Sequence, residues 1–412
     1  MFSDYSEFGP TLLGNPDAKI QASFRLNNTD VTIANTIRRA IQVSTPSVAF
    51  RTEPADKSDV NITINTTPLV NEMIAHRIGM IPIRANPLAF NSNQFEFVLD
   101  MENKTKEVMD VRASDFKVMM RNPENMLEAP VEVPAADFFP PDPITGDTVL
   151  ITRLRAQWNP TSPNERLQMR AKAVVSTGTE NIRWSPVAQC SYEYTRDPDP
   201  EHCNAVFLDW LDKSKKITDS STLQEERRSE LQREFNTMEI QRCYLTDARG
   251  EPNDFIFHLE SVGILAIPDI VKAGIAACEA MVTRYQDLDG TLPASVRAQQ
   301  GDSRFPTIEI YFQNETHSLG NLLETYINDH FIDGSEEPKV TYVGYKVPHP
   351  LRPEMFIRLG VNPDITDPEM QTQTARLVIA SACRKLKADF RALGAAWVAQ
   401  FATATEGGSA AE

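Results

Sequence analysis

A strand–turn–helix pattern that occurs twice constrains this chain more than any other feature. The segment NTDVTIANTIRRAI at residues 28–41 aligns without a gap with NETHSLGNLLETYI at residues 314–327, an offset of 286. Asn28 meets Asn314, Asn35 meets Asn321, Ile37 meets Leu323 and Ile41 meets Ile327. The offset also holds upstream, where Ala22, Phe24 and Leu26 alternate with polar residues in one copy and Ile308, Ile310 and Phe312 in the other. Period-two alternation predicts a strand with one buried face, and the apolar run after the polar turn predicts an amphipathic helix. Thr32 and Ser318 precede those runs, where a hydroxyl can cap the first helical turn. Only the first copy ends in two arginines, Arg38 and Arg39; the second has Glu324 and Thr325 there.

Each copy is followed by a long helical pattern. IPDIVKAGIAACEAMVTRYQDL spaces Val271, Ile275, Cys278, Val282 and Tyr285 at steps of 4, 3, 4 and 3. The second, opened by Asp367 and Pro368, carries Ile379, Cys383, Leu386, Phe390, Leu393, Trp397 and Phe401 on one face. Such stripes pack helix on helix, so the two halves can bury them against one another. The expected seam is Ile37, Ile41, Leu323, Ile327, Val271, Ile275, Val282, Leu386, Phe390, Leu393 and Trp397. Between the halves, DLDGTLPASVRAQQGDSRFP reads as a linker. A flexible chain of about 20 residues spans on the order of 25 Å, which sets a millimolar effective concentration. The chain is expected to form its own pseudo-dimer and not a homo-oligomer.

The middle of the chain changes period. QFEFVLDM, TVLITRLRA, RLQMRAKAVV and QCSYEY are short alternating segments separated by proline-rich loops, which predicts a mostly β insertion. One charged helix, with apolar positions Leu223, Leu231, Phe235 and Met238, interrupts it; it reads as a solvated face or a partner-docking helix. The expected organisation is a flexible arm at 1–16, a discontinuous domain at 17–87 and 247–288, an inserted domain at 88–246, a linker at 289–305, a second domain at 306–402 and a disordered tail at 403–412.

Charge bears on partners. With 41 basic and 57 acidic residues, the formal net charge is -16, the wrong sign for a protein that works mainly by neutralising phosphates. At most minor nucleic-acid contact is expected. The five cysteines, at 190, 203, 243, 278 and 383, show no CxxC spacing, which points to reduced thiols inside a cell. Cys190, His202 and Cys203 lack the spacing of a tetrahedral metal site. No basic-then-apolar leader opens the sequence and no run reaches the length of a membrane span, so neither export nor membrane insertion is expected.

NTDVTIANTIRRAI, followed by INTTPLVNEMIAHRIGMIPI, AVVSTGTENIRWSPVAQCSYEY and FIFHLESVGILAIPDIVKAGI, resembles the assembly subunit of multisubunit RNA polymerases. That family comprises the third-largest eukaryotic subunit, the archaeal D subunit and the bacterial alpha N-terminal domain. NETHSLGNLLETYI with YVGYKVPHPL resembles its small partner, the eleventh-largest or archaeal L subunit. The resemblance implies an α+β fold of two alpha-like dimerisation domains in an intramolecular pseudo-dimer, the first carrying a mostly β insertion. A fusion of the two subunits resembles what large double-stranded DNA viruses encode.

The resemblance further implies a non-catalytic platform for DNA-templated transcription, with no cofactor, on which the two largest catalytic subunits assemble and small zinc-binding subunits dock. It would reside in the virion and infected-cell cytoplasm if viral, and in the nucleus otherwise. Arg38 and Arg39 are the implied large-subunit contacts, with a solvated face or internal salt bridge as the alternative. Glu72, His76 and Arg77, on a helix expected to start at Thr67–Pro68 and to stop at Gly79, read as a hydrogen-bonded network that the resemblance turns toward a second contact surface. Lys346 and His349 read as packing and interface residues. Some relatives carry a cysteine cluster in the inserted domain, whereas residues 84–189 here contain no cysteine. Two rival readings remain, a hydrolase using Glu72 and His76 and a free-standing interaction module. The first lacks any GxSxG, HExxH, Walker A or GxGxxG pattern.

Overall fold

The computed structural model describes all residues apart from 14, 123–128, 158–162, 219–223, 302–306, 363 and 407–412; for residues 16 and 402–406 it describes the backbone. Leu223, the end of the expected linker and the last part of the expected tail therefore lie outside the described residues.

Two matching units organise the chain, and the strands of their sheets are numbered β1 to β8. The first unit runs β1 (Phe2–Leu12), β2 (Asn15–Asn27) and α1 (Val31–Val43), and departs into an inserted lobe that contains α2 (Asn71–Gly79). It returns as β3 (Val187–Tyr194), departs again through α3 (Pro200–Lys215) and α4 (Glu225–Met238), and closes with β4 (Asp254–Ser261) and α5 (Ile267–Thr283). The second unit runs β5 (Val296–Gln300), β6 (Thr307–Gln313), α6 (His317–Ile327), β7 (Val340–Lys346), β8 (Glu354–Val361) and α7 (Pro368–Glu406) without large insertions. Both sheets are antiparallel, in the orders β1-β2-β4-β3 and β5-β6-β8-β7.

Two expectations change for one reason. The stretch expected to be a flexible arm is β1, paired along β2, and the expected linker contributes β5, paired along β6. These are equivalent edge strands of the two sheets. An edge strand has one neighbour and one sparse apolar face, so its sequence alternation is weak. Burial still holds both in place. Phe2 and Tyr5 meet Trp397 edge-on at 5.1 and 5.7 Å, and Val296 is buried.

One continuous core spans both units. Phe24 stacks on Phe257 at 5.0 Å across β2 and β4, and α1, α5, α6 and α7 pack over the sheets. Every residue of the expected seam is buried in this core. Cys278 and Cys383 are buried there too, and burial pushes both thiols far above their ordinary range. Asp367 opens α7 by accepting from the Glu369 amide at 3.0 Å. Helix α7 continues to Glu406, into the segment expected to be a disordered tail, through alanines that favour helix.

The inserted lobe begins directly after α1, well before the expected boundary at residue 88. Its core joins Val48, Phe50, Ile74 and Ile78 to Phe97, Leu99, Phe116 and Phe139. A five-stranded sheet runs in the order Val60–Asn65, Arg166–Ala171, Phe95–Glu102, Lys117–Met120, Val131–Val133. Strand β3, expected within the insertion, belongs instead to the first unit's sheet.

The charged segment forms α4, and a second helix that the sequence reading missed, α3, lies just upstream and packs against it. Phe207, Trp210 and Leu211 of α3 meet Leu231 and Phe235 of α4 in a third, separate core, while Met238 is exposed.

Candidate docking interface

The geometry of the twin helices follows from their turns. Asn28 and Asn314 both adopt the left-handed backbone, with φ of 54° and 62°, a conformation that asparagine tolerates better than most residues. Asp30 caps α1, its Oδ1 accepting from the Ile33 amide at 2.8 Å. Thr32, expected to cap, stands two residues past the cap position, and Ser318 likewise lies inside α6, two residues past Thr316. Both hydroxyls instead face the opposing helix.

Arg39 Nε donates to Ser318 Oγ at 2.9 Å, and Thr32 Oγ1 donates to Thr325 Oγ1 at 3.3 Å. Adding 286 turns position 32 into 318 and position 39 into 325. The two bonds are therefore the same contact seen from opposite sides of a pseudo-two-fold axis, the reciprocity of an isologous interface. Gly274 lets α5 approach α1, since a Cβ there would lie 2.5 Å from Ile41 Cγ1 and 3.3 Å from its Cα.

Arg39 is thus partly committed within the chain. Arg38 bonds only neutral neighbours on its own helix, Asn35 Oδ1 through Nε at 3.1 Å and Gln42 Oε1 through Nη1 at 3.0 Å. Neither guanidinium reaches a carboxylate among the described residues, so the internal salt bridge considered above is not made. Two neighbouring cations without an internal counter-ion leave bidentate donors for an external acceptor.

Beside them a groove of about 1320 Å³ runs between α1, α5 and the start of α6. Its α5 wall is built of Ala273, Ala276, Ala277, Ala280 and Met281, and Arg39, Arg84, Lys272 and Arg284 bring positive charge to it. Glu315 enters from the second unit and accepts from Tyr285 Oη at 2.8 Å and Arg284 Nη1 at 2.7 Å. Burial raises its carboxyl above the ordinary range and outweighs both partners. Leu88 lines the groove and is 90% exposed.

Helix α2 starts at Asn71, later than Thr67–Pro68 suggested. Asn65 Oδ1 accepts from the Thr67 amide at 3.0 Å and its hydroxyl at 2.7 Å, holding that stretch in a turn. Glu72, His76 and Arg77 are all exposed. Arg77 donates to the Leu150 carbonyl at 3.3 Å, whereas Glu72 and His76 make no side-chain hydrogen bond among the described residues. The expected network is absent at these positions, because all three side chains point outward. Met73 on α2 and the residues at its two ends, Val70 and Met80, are each more than half exposed, an apolar surface of the kind that marks an interaction site. The sequence reading missed this surface.

In the second unit, Lys346 ends β7 exposed, and His349 Nδ1 accepts from the Leu351 amide at 3.1 Å. Glu324 is raised by burial, an effect opposed by a hydrogen bond from the Tyr345 amide. Cys190 is buried in β3 with its thiol pushed up to about 12, in a different core from Cys203 on α3. His202 Nδ1 lies 2.7 Å from Asp197 Oδ2. No described set of three or more His, Cys, Asp or Glu side chains is placed to hold a metal ion.

Two tandem units of one topology, paired through a reciprocal helix contact, agree with comparison to known families. Residues 23–280 and residues 307–395 each match the family described as the RNA polymerase Rpb3/Rpb11 dimerisation domain. The chain belongs to that family.

The first Rpb3/Rpb11 match spans α1, both insertions and most of α5; the second covers β6 to most of α7. Subunit Rpo3 of the DNA-directed RNA polymerase of Methanopyrus kandleri is 32% identical over 42% of this chain and 54% of its own length. Subunit 3 of the Arabidopsis thaliana RNA polymerases II, IV and V is 27% identical over 43% and 54%. RPB3 of Schizosaccharomyces pombe RNA polymerase II is 23% identical over 69% and 89%. The chain thus spans about half the length of the first two relatives and most of the third.

Proposed function

We propose that this chain is the non-catalytic assembly platform of a DNA-directed RNA polymerase, holding the two largest, catalytic subunits for transcription. The observation that carries the reading is the pairing of two Rpb3/Rpb11 dimerisation domains inside one polypeptide, with a cationic groove left open beside the pairing helices. In this reading the first unit plays the part of the third-largest subunit and the second that of the eleventh-largest, fused as in large double-stranded DNA viruses. Its place is a reducing intracellular compartment, and small zinc-binding polymerase subunits attach to the same platform.

Arg38, with its fork facing only neutral amides, is the leading large-subunit contact; Arg39 contributes what its bond to Ser318 leaves free. Glu72, His76 and Arg77, beside the exposed Val70, Met73 and Met80, form the second contact surface. The test is capture of the tagged chain from its native source. Recovery of two very large polypeptides with RNA-synthesising activity supports the platform, and recovery of neither rejects it. Arg38→Glu alone is the cleaner probe of the contact, because Arg39→Glu also disturbs the internal seam. Unchanged co-purification by Arg38→Glu removes that assignment.

A further inference from the structure

We propose that Cys203 and Cys243 form a dithiol that closes to a disulfide when the chain meets a hydroperoxide, stapling the base of the α3–α4 hairpin. The inference stands on the hairpin alone and is independent of the polymerase reading.

Three contacts bring the cysteines together. Cys203 Sγ donates to the Asp197 carbonyl at 3.5 Å, the Asp197 amide donates to the Cys243 carbonyl at 3.0 Å, and Cys243 Sγ lies 4.0 Å from the Cys203 carbonyl. The thiol of Cys243 also interacts directly with that of Cys203. An antiparallel bridge between Arg196 and Tyr244 fixes the segment on which Cys243 sits.

The two sulfurs differ in access. Cys203 is half-buried in the first turn of α3 and lines an open pocket of about 530 Å³ that includes Arg196, Asn204 and Gln232. A small peroxide can enter there. Cys243 is buried in the hairpin core, and burial pushes its thiol up to about 11. Cys203 is therefore the thiol attacked and Cys243 the one that resolves. Cys190, Cys278 and Cys383 are buried elsewhere with thiols pushed up, and do not compete.

The chemistry balances with the peroxide as the two-electron oxidant. The Cys203 thiolate attacks one peroxide oxygen, the O–O bond breaks, and the other oxygen leaves as an alcohol or water after taking a proton. The resulting sulfenic acid is attacked by Cys243, the S–S bond forms, and the sulfenic oxygen departs as water with the Cys243 proton. A core as small as this one, centred on Phe207, Trp210, Leu211, Leu231 and Phe235, gains from a covalent tie because little apolar surface holds it.

The test treats the full chain with hydrogen peroxide, then denatures and alkylates it without reductant. The expected product joins the Cys203 and Cys243 peptides at a mass about 2 Da below the two free thiols, leaves the other three cysteines alkylated, and reverts with dithiothreitol. Amide exchange across α3 and α4 should slow at least about tenfold on oxidation. In Cys243→Ser, Cys203 should stop at a sulfenic acid that dimedone captures, with exchange unchanged. The proposal is overturned by peroxide leaving both thiols free, by Cys203 advancing to sulfinic acid while Cys243 stays free, or by an unmodified Cys203 in the Cys243→Ser chain.

Discussion

Trp397→Ala should open the seam between the two units. The ring is 1% exposed and sits edge-on to Phe24 at 4.9 Å, Phe2 at 5.1 Å and Phe401 at 5.1 Å, and its Nε1 donates to the Pro268 carbonyl at 2.9 Å. That hydrogen bond ties α7 to the first turn of α5, across the boundary between units. Truncating a buried aromatic to alanine costs about 3–5 kcal/mol. The Pro268 carbonyl is half-buried, so water can replace the lost donor and the penalty of about 1–3 kcal/mol for an unsatisfied buried group is not added. A central expectation is about 4 kcal/mol, or roughly three decades in the opening equilibrium. Trp397→Phe keeps most of the packing and loses the donor, so it should cost only about 1–2 kcal/mol. A chain with three cores is not expected to unfold in one step, so hydrogen exchange should be read separately over α5, α7, β1 and the inserted lobe. Protection should fall in α5, α7 and β1 and persist in the inserted lobe. A loss below about 1 kcal/mol, or one confined to the inserted lobe, would refute the role given to the seam.

Other perturbations have defined signs. Gly274→Val drives a side chain into Ile41 and should destabilise by about 1–3 kcal/mol, seen as a lower Tm, whereas Gly274→Ala recovers part of that through its helix preference of about 1 kcal/mol. Glu315 titrates above its unfolded value, so the native chain binds the extra proton and stability falls as pH rises through the folded pKa. Glu315→Gln should therefore stabilise at neutral pH, with the gain vanishing in acid; a gain that grows on acidification contradicts this. Burial pushes Glu309 up, but hydrogen bonds from Arg358, Gln299 and Tyr311 outweigh it and the carboxyl lies below its usual range. Arg358→Leu leaves that nearly buried carboxylate short of its cation, at a cost of about 3–5 kcal/mol, and Glu309→Gln added to it should restore most of the loss in denaturant unfolding.

The strongly periodic elements were legible. Strands β2 and β6 and helices α1, α5, α6 and α7 each bury one face, so alternation or a helical stripe is written into them. The edge strands β1 and β5 were not, since a strand with one neighbour has little apolar patterning to read. Helix α3 escaped because Phe207, Trp210 and Leu211 supply its whole buried face. The capping roles were misread because Asp30 outcompetes Thr32 for the first amides, which freed the threonine for the opposite unit. The Arg39–Ser318 bond held a signal in the offset itself, for a two-fold axis pairs positions 32 and 39 of one copy with 325 and 318 of the other. The exposed α2 surface and the groove depend on how the inserted lobe folds over α1, a long-range relation that no local spacing encodes.

The reciprocal contact of α1 and α6 has a consequence for how the halves can diverge. Two look-alike proteins that circulate separately must each avoid sticking to their own kind, and that demand restricts the side chains on their shared face. Joined by a peptide backbone, the halves are always present in equal number and meet each other first. An arginine at 39 opposite a serine, with a threonine opposite a threonine at the mirrored place, can then persist without guarding against self-association. The freedom released there is available for distinguishing one neighbour from another.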